Sequence, residues 1–234
     1  MSENGRNLVY LITGGCGFLG KHLLDVLMEK EEKLAEVRLF DKYIDQRFYE
    51  QRSTGNESVA GIHSGSTDVL LLLFFQIAPN PVFFKLRGKM SLSLSFINEL
   101  CACVECGVEH LVYTSSMEVI GPNLNGDHFK RGNEDTEYEV NHTMAYPKSK
   151  AKAEKIVLEA NGRTVKGGKC LYTCSLRPTG IYGEGHQLMK DFYNLAAERG
   201  GLVIGGVPEH IEHGRVYAGK NGHFQKLKLL FRVE

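Results

Sequence analysis

Neither sign of charge is in excess in this chain: 28 lysines and arginines face 28 aspartates and glutamates across 234 residues. A balanced surface offers a polyanion no broad field, so nucleic acid is not an expected partner. Long apolar runs are missing too. The strongest, Val69 to Phe75, falls far short of the roughly 20 residues that a membrane-spanning helix needs. The opening residues are polar and include glycine, without a basic-then-apolar signal sequence, so the chain as given is expected in the cytoplasm. There the six cysteines are expected as reduced thiols rather than a disulfide framework. Cys101, Cys103 and Cys106 lack metal-ligand spacing, because residues 101 and 103 fall on opposite sides of a helix and no fourth ligand stands nearby. They are expected as small apolar core residues, with no metal. No internal repeat is visible. What the chain does have is 42% hydrophobic residues, enough for a buried core in one domain.

The organising stretch is Val9-Tyr-Leu-Ile-Thr-Gly-Gly-Cys-Gly-Phe-Leu-Gly20. Its apolar run, Leu8 to Ile12, reads as a buried parallel strand, and glycines follow at 14, 17 and 20. A helical stripe of Leu19, Leu23 and Leu27, with Leu24 and Met28 beside it, comes next. Strand, glycine turn and helix in this order predict a dinucleotide site. Gly14 permits the tight turn, Gly17 lets backbone approach a pyrophosphate, and Gly20 lets the helix lie close on the strand. The phosphates are expected at the helix N-terminus, where unpaired N–H groups and the helix dipole favour negative charge. A second strand, Val37 to Phe40, ends in Asp41, which can accept from an adenosine ribose and would repel a 2′-phosphate.

Further along, Val59 to His63 has the composition of a short third strand. From Ser64 to Ile97 neither a helical nor a strand period is sustained. Order returns with a helix over Leu100 to Cys106, a strand Leu111-Val-Tyr113 ending in Thr114-Ser-Ser116, and a loop from Gly121 to Met144. Tyr146 to Ala160 is expected as a helix burying Ala153, Ile156, Val157 and Ala160. A strand from Cys170 to Leu176 stops at Arg177-Pro178. Leu188, Met189, Phe192, Leu195 and Ala196 predict a last amphipathic helix, closed by Gly200-Gly201. The tail from Lys220 is basic and without pattern. Alternating strands and helices predict an α/β fold with a doubly wound parallel sheet, Rossmann-like, over residues 1–219.

Tyr146-Pro-Lys-Ser-Lys150 places a phenol and an ammonium four residues apart, on one helix face. A phenol is a poor base at neutral pH, and a neighbouring cation favours its ionised form. The pair follows a strand ending in Thr-Ser-Ser, and in a parallel sheet such strand ends open on the same crevice as the glycine turn.

These pieces together resemble the 3β-hydroxysteroid dehydrogenase family of extended short-chain dehydrogenases/reductases. The resemblance rests on Thr13-Gly-Gly-Cys-Gly-Phe-Leu-Gly20, Val112-Tyr-Thr-Ser-Ser-Met-Glu-Val119, Tyr146-Pro-Lys-Ser-Lys150 and Leu176-Arg-Pro-Thr-Gly-Ile-Tyr-Gly-Glu-Gly185. Arg131-Gly-Asn-Glu-Asp-Thr136 and Gly185-His-Gln-Leu-Met-Lys-Asp-Phe-Tyr193 resemble most the branch that oxidises C27 sterols on the bile-acid route. The resemblance implies an NAD-dependent oxidation of a sterol 3β-hydroxyl. Tyr146 would be the base and Lys150 would lower its pKa and hold the nicotinamide ribose. Ser116, rather than Ser115, would bond the reacting oxygen, since it leads into Met-Glu-Val-Ile-Gly as the family serine does. Gly14, Gly15, Gly17, Phe18, Leu19, Gly20, Asp41, Lys150 and Pro178 would contact NAD. It also implies association with the endoplasmic reticulum membrane, leaves the oligomeric state open, and often accompanies a double-bond shift for which no residue here stands out.

Residues 64–97 and 220–234 depart from the family pattern. Only five residues separate His63 from Val69, whereas a parallel crossover needs a dozen or more. If Val69 to Phe75 takes the slot between the first strand and Leu111 to Tyr113, Val59 to His63 is no ordinary third strand. That slot is the expectation, because a central sheet position left empty would strand two rows of backbone N–H and C=O groups. The substrate region is expected to be truncated, with weak NAD binding and little sterol turnover. The alternative readings are a non-catalytic member with a partial nucleotide fold, and a sugar-nucleotide epimerase, which shares the fold and the Tyr/Lys pair.

Overall fold

The computed structural model describes residues 8–41, 69–73, 92–121, 134, 142, 144–201 and 215–219. β1 (Leu8–Thr13) is buried on both faces, as an apolar run in a doubly covered parallel sheet should be. It turns through Gly14, in the left-handed region at φ 68°, into α1 (Phe18–Lys30) and returns as β2 (Leu34–Phe40). β3 (Val69–Leu73) lies between β1 and β4 (His110–Thr114), parallel to both, with Val9 opposite Val69 and Leu70 opposite His110. With β5 (Tyr172–Leu176) the sheet order is β2-β1-β3-β4-β5. The slot expected for Val69 to Phe75 is thus filled by residues 69–73, while Phe74, Phe75, the Val59–His63 segment and the 220–234 tail lie outside the described residues.

Two apolar layers cover the sheet. On one face α1 contributes Leu19, Leu23 and Leu24 to a cluster with Tyr10, Ile12, Val37 and Val112. On the other face α2 (Leu92–Cys106) and α3 (Ala145–Glu159) meet Leu111, Tyr113 and Leu171 through Leu100, Cys103, Ala153 and Val157. Pro147 is tolerated in α3 because it stands in the first turn, where backbone N–H groups have no intrahelical partner. The chain continues through β6 (Gly180–Tyr182), α4 (Gln187–Glu198) and β7 (Arg215–Tyr217), with β6 and β7 forming a separate parallel pair.

Three expectations change. α2 begins at Leu92 rather than Leu100. Leu92, Phe96 and Leu100 are spaced for a helix, but the intervening Leu-Ser alternation masks that period. Among the three clustered cysteines only Cys103 is core, its thiol pushed up to about 12 mainly by burial, while Cys101 and Cys106 are exposed. Their positions on the helix point them away from the apolar layer. α4 forms and ends at Gly200 and Gly201, both at positive φ, yet none of its residues is buried. Leu188, Met189 and Phe192 are exposed, so its apolar stripe meets no layer among the described residues.

α2 also carries an acid that the fold opposes. Glu99 is largely buried, its Oε2 has no hydrogen-bond partner among the described residues, and burial lifts its pKa from 4.5 to about 7. The unfolded chain therefore releases this proton at lower pH than the folded one, and folding stability falls as pH rises from about 4.5 through about 7. Glu99→Gln is expected to raise stability at pH 8 by on the order of 2 kcal/mol and to change it little at pH 4. Denaturant unfolding at the two pH values checks this, and an equal effect at both would refute it.

Candidate active site

The C-terminal ends of β1, β2 and β4 bring the residues singled out in the sequence to one edge of the sheet. Gly14 N–H donates to Phe40 O at 2.7 Å and Gly17 N–H to Gly14 O at 3.0 Å, which folds the glycine turn against the end of β2. There the Asp41 carboxylate accepts from Cys16 N–H at 3.0 Å, so its charge faces the turn. Gly20 has no room for a side chain: a Cβ would stand 2.5 Å from Gly14 O and 2.6 Å from Gly15 Cα. At Gly15 a Cβ would fall 2.8 Å from a Leu39 methyl. Gly17 begins α1 without a side-chain cap, and no acidic residue occupies the first turn. An uncapped, non-acidic N-terminus suits a phosphate group. Phe18 and Leu19 occupy that first turn. Leu19 is turned into the core, while the Phe18 ring meets His22 and His186 edge-on.

The second half of the site is built on α3. Tyr146 lies against Ser116, whose side-chain hydrogen bond favours the ionised phenol, but burial and Glu118 outweigh it and raise the Tyr146 pKa. Lys150 is 3% exposed, donates to the Thr114 carbonyl at 2.7 Å and stands 5.0 Å from the Tyr113 ring centre. Burial lowers its pKa to about 8, with Glu154 opposing the fall.

The two serines are separated by their partners. Ser115 is buried and its hydroxyl donates to Glu154, whereas Ser116 caps the 3-10 turn Met117–Ile120 by accepting from Glu118 N–H at 3.2 Å and keeps its contact with Tyr146. Pro178 follows β5 and accepts from Met117 N–H at 3.0 Å, tying it to the segment that carries Ser116. Buried Thr13 and Thr114 each leave a side-chain hydroxyl without a partner among the described residues. Orphaned hydroxyls at two strand ends beside an open helix N-terminus fit a polar cofactor in the crevice. Motif reading did not single out Glu154 or Arg177. The available signal was the recurrence of Tyr146, Lys150 and Glu154 every fourth residue, with the acid set among residues expected to be buried.

The chain resembles, in fold, an NAD-dependent NDP-hexosamine 5,6-dehydratase of tunicamycin biosynthesis (TM-score 0.65, 22% identity, 90% of this chain and 68% of that one). A Thermus thermophilus UDP-glucose 4-epimerase complexed with NAD is similar (TM-score 0.59, 21% identity, 95% and 73%). Sequence relatives are much nearer. The 3 beta-hydroxysteroid dehydrogenase type 7 of Mus musculus is 47% identical over 91% of this chain and 60% of its own length. The Homo sapiens type 7 protein is 44% identical over 93% of this chain and 62% of its own length. A vaccinia virus 3 beta-hydroxysteroid dehydrogenase/Delta 5-->4-isomerase is 37% identical, over 90% and 63%. The chain thus spans about 60% of the length of these relatives. The 3-beta hydroxysteroid dehydrogenase/isomerase family matches residues 11–69 and 97–225, so the unmatched internal stretch, 70–96, is shorter than the 64–97 expected to depart, and the match runs into the 220–234 tail as far as residue 225. The chain belongs to the 3-beta hydroxysteroid dehydrogenase/isomerase family.

Proposed function

We propose that this chain is an NAD-dependent oxidoreductase that converts the 3β-hydroxyl of a sterol to a ketone. The observation that carries the reading is the contact of Ser116 with the Tyr146 phenol, with Lys150 one helical turn on, at the end of β4. Ser116 holds the substrate oxygen. The Tyr146 oxygen, when ionised, takes the hydroxyl proton, and the C3–H bond breaks as the C3=O bond forms. Bound NAD would supply the acceptor for the departing hydride. Lys150 supplies a cation four residues from the phenol and a donor for the nicotinamide ribose. Gly14, Gly15, Gly17, Phe18, Leu19 and Gly20 would shape the pyrophosphate turn, with Pro178 beside the nicotinamide end. The mouse and human type 7 relatives are 3 beta-hydroxysteroid dehydrogenases, and the resemblance of Arg131-Gly-Asn-Glu-Asp-Thr136 and Gly185 to Tyr193 supports a sterol of the C27, bile-acid class. So apolar a substrate partitions into a bilayer, which favours work at a membrane surface, and the family resemblance supports the endoplasmic reticulum as that membrane. No helix among the described residues is long and apolar enough to cross it.

Incubation with NAD and a 3β-hydroxysterol is expected to form NADH and the 3-ketone in equal amounts. Thermal stabilisation by NAD with neither product formed would overturn the dehydrogenase reading in favour of nucleotide binding alone.

Asp41 is expected to set the cofactor choice. Its carboxylate would accept from a ribose hydroxyl and repel a 2′-phosphate. NAD is expected to bind at least tenfold more tightly than NADP, and Asp41→Ala to erase most of that ratio, about 1.4 kcal/mol or more. Titration of both cofactors checks this, and equal affinities in the parent chain would refute it.

A further inference from the structure

Tyr146, Lys150 and Glu154 stand on one stripe of α3, and the proposed reaction uses only the first two. Glu154 is 1% exposed, the most deeply buried charged residue among those described. Its Oε1 accepts from Arg177 Nε at 2.8 Å, and its Oε2 accepts from the Ser115 hydroxyl. Ser115 follows β4, and its N–H donates to Leu176 O at 2.7 Å. Arg177 follows β5. One carboxylate therefore joins α3 to the ends of two strands, at the residues that immediately precede Ser116 and Pro178. A buried carboxylate costs several kcal/mol to desolvate unless paired and hydrogen-bonded, and here both oxygens have partners.

We propose that Glu154 is a positioning residue for the dehydrogenase reaction, fixing the segment that carries Ser116 and supplying the counter-charge that keeps Lys150 a cation. The proposal rests on the dehydrogenase reading for its purpose, though not for its geometry. Lys150 lies one turn from Glu154 and is the residue whose charge burial opposes. The groups around it among the described residues include Tyr146 and Glu154 on its own helix, Tyr113 and the Thr114 carbonyl on β4, and Arg177 across Glu154 from β5. Glu99 of α2 acts on Tyr113, and Glu118 of the 3-10 turn acts on Tyr146. Glu154 acts on Lys150 itself, favouring its charged form. Removing its charge also takes a counter-charge away from the nearby Arg177 cation, and both changes favour loss of the Lys150 proton.

The test is the titration of Lys150 in the cofactor-free chain, followed by NMR of isotope-labelled lysine and assigned with Lys150→Arg. Glu154→Gln is expected to lower the Lys150 midpoint by about one pH unit, a tenfold loss of the cation above that midpoint. Glu154→Asp is expected to restore most of it. The upper limit of the pH range for NAD binding should fall in parallel. Should Glu154→Gln fail to fold, Arg177→Gln provides the opposite arm, expected to raise the midpoint. A folded Glu154→Gln chain with an unchanged Lys150 midpoint overturns the proposal, as does an unchanged midpoint in Arg177→Gln. The expected shifts in a chain that forms no ketone support the coupling and overturn only the catalytic reading on which its purpose rests.

Discussion

Replacing Tyr146 by phenylalanine is expected to reduce hydride transfer by about 10²–10⁴-fold while leaving NAD affinity little changed. The phenol oxygen is the group placed against Ser116, and its loss removes the proton acceptor without disturbing the glycine turn. The ring remains, so α3 keeps its packing. Lys150→Ala is expected to damage both steps, because the same ammonium would serve the phenol and the ribose. Its removal also leaves the Thr114 carbonyl without the donor that now satisfies it. Turnover and NAD titration on the two variants separate these roles. Tyr146→Phe with parental turnover would mean that another group takes the proton.

The second large effect belongs to the turn. Gly20→Ala would place a methyl 2.5 Å from Gly14 O and 2.6 Å from Gly15 Cα and O. Backbone atoms on both sides cannot swing away as a side-chain tip can, so α1 must lift from β1 or the turn must open. Overpacking of this kind costs about 3 kcal/mol, a fall of roughly 6–12 °C in Tm for a chain of this length. The N–H groups at the head of α1 would move with it, and NAD affinity should drop at least tenfold. Gly121→Ala is the control, since nothing lies within 4 Å of its added Cβ and its φ is ordinary. It is expected to stay within about 0.5 kcal/mol of the parent. A Gly20→Ala chain with parental Tm and parental NAD affinity would show that the close approach is not needed.

Local chemistry by itself determined several parts of this protein. An apolar strand, a glycine turn and a leucine stripe specify β1, the turn and α1, because each depends on neighbours within a few residues. The four-residue spacing of Tyr146 and Lys150 likewise specifies one face of α3. Other features needed the fold. Val69–Leu73 is apolar enough for a strand or a buried helix; the need to close both rows of backbone hydrogen bonds points to the slot between β1 and β4, and the pairing in the sheet is what establishes it. Motif context favours Ser116 over Ser115, and what the fold adds is the approach of Glu154 from another element, which engages the Ser115 hydroxyl. The spacing puts Lys150 one turn from the phenol, but only the fold shows that its ammonium donates to Thr114 O and that burial raises the pKa of Tyr146, because desolvation depends on everything packed around a group. The stripe on α4 shows the limit of periodicity: spacing determined the helix, but with no layer set against it among the described residues, Leu188, Met189 and Phe192 stay exposed.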